Sequence, residues 1–105
     1  LLAMKARIIL EGIVQGVNCR THVKRIADHM KISGSVRNLP NESEIDIYAQ
    51  FKNSQQITDF ISAIKREAES TSIQIYGVRV FTENHEEYAQ GKVPSDFNSF
   101  RIERS

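Results

Sequence analysis

The sequence predicts an α+β domain: a ferredoxin-like βαββαβ sandwich, in which an antiparallel-rich sheet of four to five strands carries two helices on one face. Three observations predict it. Two segments place their apolar residues at helical spacing, strand-like alternation flanks each of them, and the second and third strands are joined by a turn short enough to force an antiparallel pair.

Ala6, Ile8 and Leu10 alternate with Arg7, Ile9 and Glu11, the period-two pattern of a strand with one strongly apolar face. From Thr21 to Lys31, Val23, Ile26, Ala27 and Met30 fall on one helical face while Lys24, Arg25, Asp28 and Lys31 take the other, and Gly34 closes the connection. Ser35 to Leu39 reads as a short strand stopped by Pro40, and Pro40-Asn41-Glu42-Ser43 has turn composition. In the third strand Ile45, Ile47 and Ala49 alternate with Asp46, Tyr48 and Gln50. Asn53-Ser54 offers a side-chain cap to a second helix, whose Ile57, Phe60, Ile61, Ile64 and Ala68 repeat at helical spacing. Ile73 and Ile75 start a fourth strand that Val78 and Val80 continue in the opposite phase, which predicts a bulge at Tyr76-Gly77. Glu83 to Asp96, polar and holding Gly91 and Pro94, reads as a long, mobile loop, after which Phe100 and Ile102 supply a last strand.

A chain of 105 residues suffices for one compact domain, and residues 1–105 are expected to form one. With 40% hydrophobic and 26% charged residues and a formal net charge of +1, it has the makeup of a soluble globular protein and no large field to attract nucleic acid or an anionic membrane. Any anion must therefore be bound locally. The longest apolar runs, such as Ile8 to Leu10, fall far short of the roughly 20 residues a spanning helix needs. Leu1-Leu2-Ala3 lacks the basic flank of a signal peptide and is expected to be a cloning remnant ahead of an initiating Met4, so a cytoplasmic location is expected. Cys19 is the only cysteine, which excludes an internal disulfide and a cysteine-based zinc site.

The run Gly12-Ile13-Val14-Gln15-Gly16-Val17-Asn18-Cys19-Arg20 carries an apolar strand into a glycine-containing turn that ends on arginine, just ahead of the first helix. Such a turn suits an oxyanion. Gly16 permits positive φ or a close approach, the N–H groups around it can converge at a helix N-terminus, and the planar fork of Arg20 matches phosphate geometry.

The chain resembles the acylphosphatase family in two ordered runs: Val14-Gln15-Gly16-Val17 with Arg20 after two further residues, and Gly34-Ser35-Val36-Arg37-Asn38-Leu39-Pro40. Their separation, the βαββαβ order and the closing Phe100-Arg101-Ile102 fit as well, so the resemblance spans about Lys5 to Ile102. It implies hydrolysis of the carboxyl-phosphate anhydride of a small-molecule acyl phosphate to carboxylate and inorganic phosphate. No cofactor, metal, membrane or nucleic-acid partner is expected, and the protein is expected to be a monomer. The resemblance further implies a phosphate-binding backbone over Gln15, Gly16, Val17, Asn18, Cys19 and Arg20. Two residues take catalytic roles in it: Arg20 as the phosphate-holding arginine and Asn38 as the amide that orients the attacking water. The chemistry is coherent, because a carboxylate departs without a general acid and phosphoryl transfer asks the protein mainly for positioning and electrostatic stabilisation.

The chain departs from the family pattern in several places, among them the long Glu83 to Asp96 loop. Asn18 and Cys19 replace the bulky residues usual before the arginine, Asn41-Glu42 lacks the turn glycine, and Phe51 stands where a glycine commonly follows the next strand. The alternative reading is a non-catalytic ferredoxin-like module that binds an anion or RNA. It calls for exposed aromatics on the open sheet face, where Tyr48 and Tyr76 are the candidates, but the glycine-aromatic pattern of RNA-binding strands is missing. A third reading, an acylphosphatase-like domain serving a maturation enzyme, is weakened by a chain that reads as complete. Cys19 is expected as a small packing residue rather than a nucleophile, with Arg20 in position to stabilise its thiolate. His22 and His29 are expected to face solvent, and Lys24, Arg25 and Arg37 to be solvated groups that raise the local positive potential.

Overall fold

The computed structural model describes residues 3–104; Leu1 and Leu2, read above as part of a cloning remnant, lie outside the described residues, as does Ser105. In chain order the elements are β1 (Met4–Ile13), α1 (Cys19–His29), β2 (Ser33–Asn38), β3 (Glu44–Phe51), α2 (Ser54–Ala68), β4 (Gln74–Thr82), one 3₁₀ turn (Glu86–Gln90) and β5 (Phe100–Glu103). They form a five-stranded sheet in the order β4-β1-β3-β2-β5. Every pairing is antiparallel except β2 with β5, which run parallel. This is the predicted ferredoxin-like sandwich, with β5 added beside β2.

Alternation sorts the side chains of each strand. Ala6, Ile8 and Leu10 of β1 and Ile45, Ile47 and Ala49 of β3 are fully buried. They share one core with Val23, Ile26 and Ala27 of α1 and Ile57, Phe60, Ile64 and Ala68 of α2. Asn53 starts α2 as its spacing predicts, its side chain accepting the Gln56 N–H at 2.9 Å. Phe51, in place of the usual glycine, lays its ring 5.6 Å from that of Phe60. The phase change in β4 is a bulge: Glu11 pairs with Gly77 and Gly12 with Ile75, so Tyr76 is the extra residue. At the β2–β3 turn the missing glycine leaves Glu42 at φ +66°, a left-handed conformation that ordinary residues adopt at a cost of about 1–2 kcal/mol.

The Glu83 to Asp96 segment departs from expectation. Instead of a free polar loop, it is a strap tied to the sheet face opposite the helices. Tyr88 is buried edge-on against Tyr48, with ring centroids 5.2 Å apart, and the Tyr48 hydroxyl donates to the Tyr88 carbonyl while accepting the Gly91 N–H at 3.1 Å. Arg7 grips Asp46 with two hydrogen bonds, Nε to Oδ1 at 2.8 Å and Nη2 to Oδ2 at 3.0 Å, and its Nη1 donates to the Glu87 carbonyl at 2.8 Å. Burial works against the Arg7 charge, but the hydrogen bonds and charge of Asp46 outweigh it and hold the pKa above its ordinary value. Arg37 is drawn into the same cluster rather than solvated, its Nη2 lying 3.3 Å from Asp46 Oδ2. Tyr48 is thereby sealed at 1% exposure and cannot stack on a base, while Tyr76 stands out on the edge strand at 69%. The aromatic platform required by the RNA-binding alternative is not formed.

Two outcomes follow from this packing. Phe60→Ala removes a fully buried ring and should cost about 3–5 kcal/mol, read as a lowered urea midpoint. The Tyr88 hydroxyl is pushed up to about 12, first by burial and then by the charge of Glu83. A tyrosine in the unfolded chain ionises near pH ~10, so this contribution to stability is intact below ~10 and is lost as pH rises toward the folded value. The urea midpoint should therefore fall above about pH 10, and Tyr88→Phe should flatten that fall.

Candidate active site

The site begins with a problem of chain direction. β1 ends at Ile13 and α1 starts at Cys19, so residues 14 to 18 must reverse the chain with Val14 and Cys19 both anchored in the core, at 1% and 2% exposure. Two left-handed residues accomplish it. Gly16 adopts φ +75° with open space where a Cβ would stand, and Asn18 adopts φ +61°, ψ 25° as the N-cap of α1. Asparagine is among the few side chains that tolerate this conformation. In that geometry its side chain does not cap the helix. The leading N–H groups of α1 thus lack the side-chain acceptor that normally satisfies a helix start, and the positive end of the helix dipole faces the turn.

One cavity of about 210 Å³ opens onto this turn. It gathers Gly16, Asn18, Cys19 and Arg20 of the first sequence run with Asn38 of the second, residues that reach it from different elements. Gln15 and Val17 of the same run do not line it: the Gln15 side chain is turned toward the β2–β3 turn, and Val17 packs on the core. The Arg20 Nη1 donates to the Glu103 carbonyl at 3.2 Å, which orients a guanidinium with five N–H donors. Asn38 is the last residue of β2, paired with Ile45, and its Oδ1 is buried without a hydrogen-bond partner in the protein. A buried acceptor left unsatisfied costs about 1–3 kcal/mol, so this oxygen is a strong candidate to receive a hydrogen from a bound molecule.

Thr21, Ile102 and Arg104 also line the cavity and were not anticipated. The signal for the last two was alternation: Phe100 and Ile102 turn toward the core, and Arg104 is next on that side. What the local pattern lacks is the parallel pairing of β5 with β2, Arg37 opposite Glu103, which carries the end of β5 alongside Asn38.

Cys19 packs in the core as expected, whereas its thiol and His22 depart from expectation. Burial pushes the Cys19 thiol up to about 12, so Arg20 does not create a thiolate there. His22 turns toward α2, its Nδ1 2.6 Å from Glu67 Oε2, and Arg25 pairs with the same carboxylate. A larger cavity of about 620 Å³ beneath the strap mixes Lys92 and Arg101 with Asp96 and Glu103 and has no preference for one sign of charge. Among the described residues, no group of three or more His, Cys, Asp or Glu is placed to hold a metal ion. None of the described helices is long and apolar enough to cross a membrane.

Comparison with known proteins places these features in context. The sequence model of the acylphosphatase family matches residues 6–102. An acylphosphatase of Borrelia garinii subsp. bavariensis is 31% identical over 98 residues, covering 93% of this chain and 96% of that protein. The crystal structure of acylphosphatase from Bacillus subtilis shares the fold, with a TM-score of 0.72 at 24% identity over 95% of this chain and 98% of that one. HypF of T. kodakarensis superposes with a TM-score of 0.71 at 25% identity, covering 97% of this chain but only 12% of its own length. The chain belongs to the acylphosphatase family.

A buried, neutral thiol at Cys19 has a direct consequence. Iodoacetamide should leave the folded protein unmodified near neutral pH, as read by intact mass, and should alkylate Cys19 once urea unfolds the chain.

Proposed function

We propose that this acylphosphatase-family enzyme hydrolyses small-molecule acyl phosphates to carboxylate and inorganic phosphate, as a single monomeric domain without metal or cofactor. The observation that carries the reading is the convergence of Arg20, the uncapped start of α1 and Asn38 on one cavity.

The phosphoryl group sits in the turn, where the N–H groups of Gly16, Asn18, Cys19 and Arg20 and the Arg20 guanidinium are offered to its non-bridging oxygens. As the bond to the acyl oxygen stretches, charge accumulates on those oxygens, and fixed donors stabilise it without having to reorganise. Asn38 Oδ1 accepts a hydrogen from a water molecule and directs the water's lone pair at phosphorus, opposite the departing carboxylate. The carboxylate leaves unprotonated and the water supplies the fourth oxygen of phosphate. Because little bond to water has formed in a loose transition state, no strong general base is required, consistent with the pairing of His22 to Glu67 outside the cavity.

The reading is tested with benzoyl phosphate. Arg20→Gln should lower kcat/KM by about 1,000-fold and weaken inhibition by phosphate, since it removes charge from both ground and transition states. Asn38→Ala should lower kcat by roughly 100-fold while changing phosphate inhibition far less. A chelator should leave wild-type turnover unchanged. Full hydrolysis by either variant would remove that residue from the mechanism, and salt-sensitive RNA retention without turnover would favour the binding module.

A further inference from the structure

Gln15 belongs to the anion turn by sequence, yet its side chain points the other way. Its single Nε2 donates to two carbonyl oxygens, Leu39 at 2.7 Å and Glu44 at 2.9 Å. An amide nitrogen carries two hydrogens, so both donors are used. The acceptors are informative. Leu39 directly follows Asn38, and Glu44 opens β3; the Leu39 N–H also donates to the Glu44 carbonyl at 3.0 Å, closing the turn between them. A second link, the Gly12 N–H to the Ser43 carbonyl at 2.9 Å, ties the end of β1 to the same turn.

Asn38 needs this support. It is the final residue of the β2–β3 ladder, and its Oδ1 makes no hydrogen bond within the protein, so that oxygen has no partner to hold it in place. Its aim is set by the backbone at residues 38 and 39, and the Gln15 amide is a direct hydrogen bond from the anion turn to that backbone. We propose that Gln15 is a positioning residue that fixes the spacing between the phosphate-gripping turn and the water-orienting Asn38. The proposal rests on the role assigned to Asn38 above. Gln15 thereby serves two parts of the site at once: its backbone belongs to the turn, and its side chain holds the strand end that faces it.

Gln15→Leu preserves bulk and removes both donors. With benzoyl phosphate its kcat should fall roughly 10- to 100-fold, the scale of a catalytic group displaced by about 1 Å, while phosphate inhibition stays near wild type because Arg20 and the turn amides are untouched. In an Asn38→Ala background the same substitution should cause no further loss of kcat, because the group it positions is gone. Gln15→Glu supplies a second readout and keeps the side-chain length. Its carboxylate is repelled by the two carbonyls at neutral pH, whereas the protonated acid again donates one hydrogen, so its kcat relative to wild type should recover as pH falls toward ~4. A wild-type kcat in Gln15→Leu would overturn the proposal, as would a loss that multiplies undiminished onto Asn38→Ala. If Gln15→Leu does not fold, a flat pH ratio for Gln15→Glu overturns it instead. Full activity of Asn38→Ala by itself would count against the assigned role of Asn38, a distinct outcome from failure of the clamp.

Discussion

The turn from β1 into α1 is the constraint on which the rest of the structure depends. Val14 and Cys19 are both held in the core, so the residues between them must reverse the chain in a space that ordinary backbone angles do not fit. Gly16 and Asn18 resolve this by adopting positive φ. The same geometry that closes the turn deprives α1 of a side-chain cap, and a helix start without a cap is electrostatically disposed toward an anion. Local backbone necessity and the disposition of the site are here one feature.

The sheet brings the other components to this turn. Antiparallel pairing of β1 with β3 and of β3 with β2 places the end of β2, with Asn38, next to the start of α1, and the parallel addition of β5 brings a carbonyl to Arg20. On the opposite face, Arg7, Asp46 and Arg37 form a buried charge cluster closed over by the strap. A buried cluster of this kind is weak evidence for net stability, but it fixes where the strap lies. The cavity at the start of α1 has no carboxylate among the residues that line it.

Much of this was legible in the residues. The alternation of Ala6, Ile8 and Leu10, the helical spacing from Ile57 to Ala68, the Asn53 cap and the phase change at Tyr76 all encode local geometry, and local geometry is what periodicity reports. The two motif runs marked Arg20 and Asn38, which the fold brings to one cavity. Other features depend on contacts distant in sequence. Tyr88 reads as one aromatic in a polar stretch, because its partner Tyr48 is 40 residues away. Arg37 reads as solvated because the carboxylate that claims it, Asp46, lies across a turn on another strand. The direction of the Gln15 side chain and the approach of Arg104 likewise follow from strand pairing, which no window along the chain displays.

The central claim is that the turn at the start of α1, completed by Arg20, is where a phosphate oxyanion binds. Titrating the protein with inorganic phosphate while following every backbone amide by NMR tests it most directly. The account predicts that the amides from Gln15 to Thr21 shift together along one binding curve, with Asn38 responding and the strap unaffected, and that Arg20→Gln abolishes the response. Shifts centred on the strap around Lys92 and Arg101, or an unchanged response in Arg20→Gln, would contradict it.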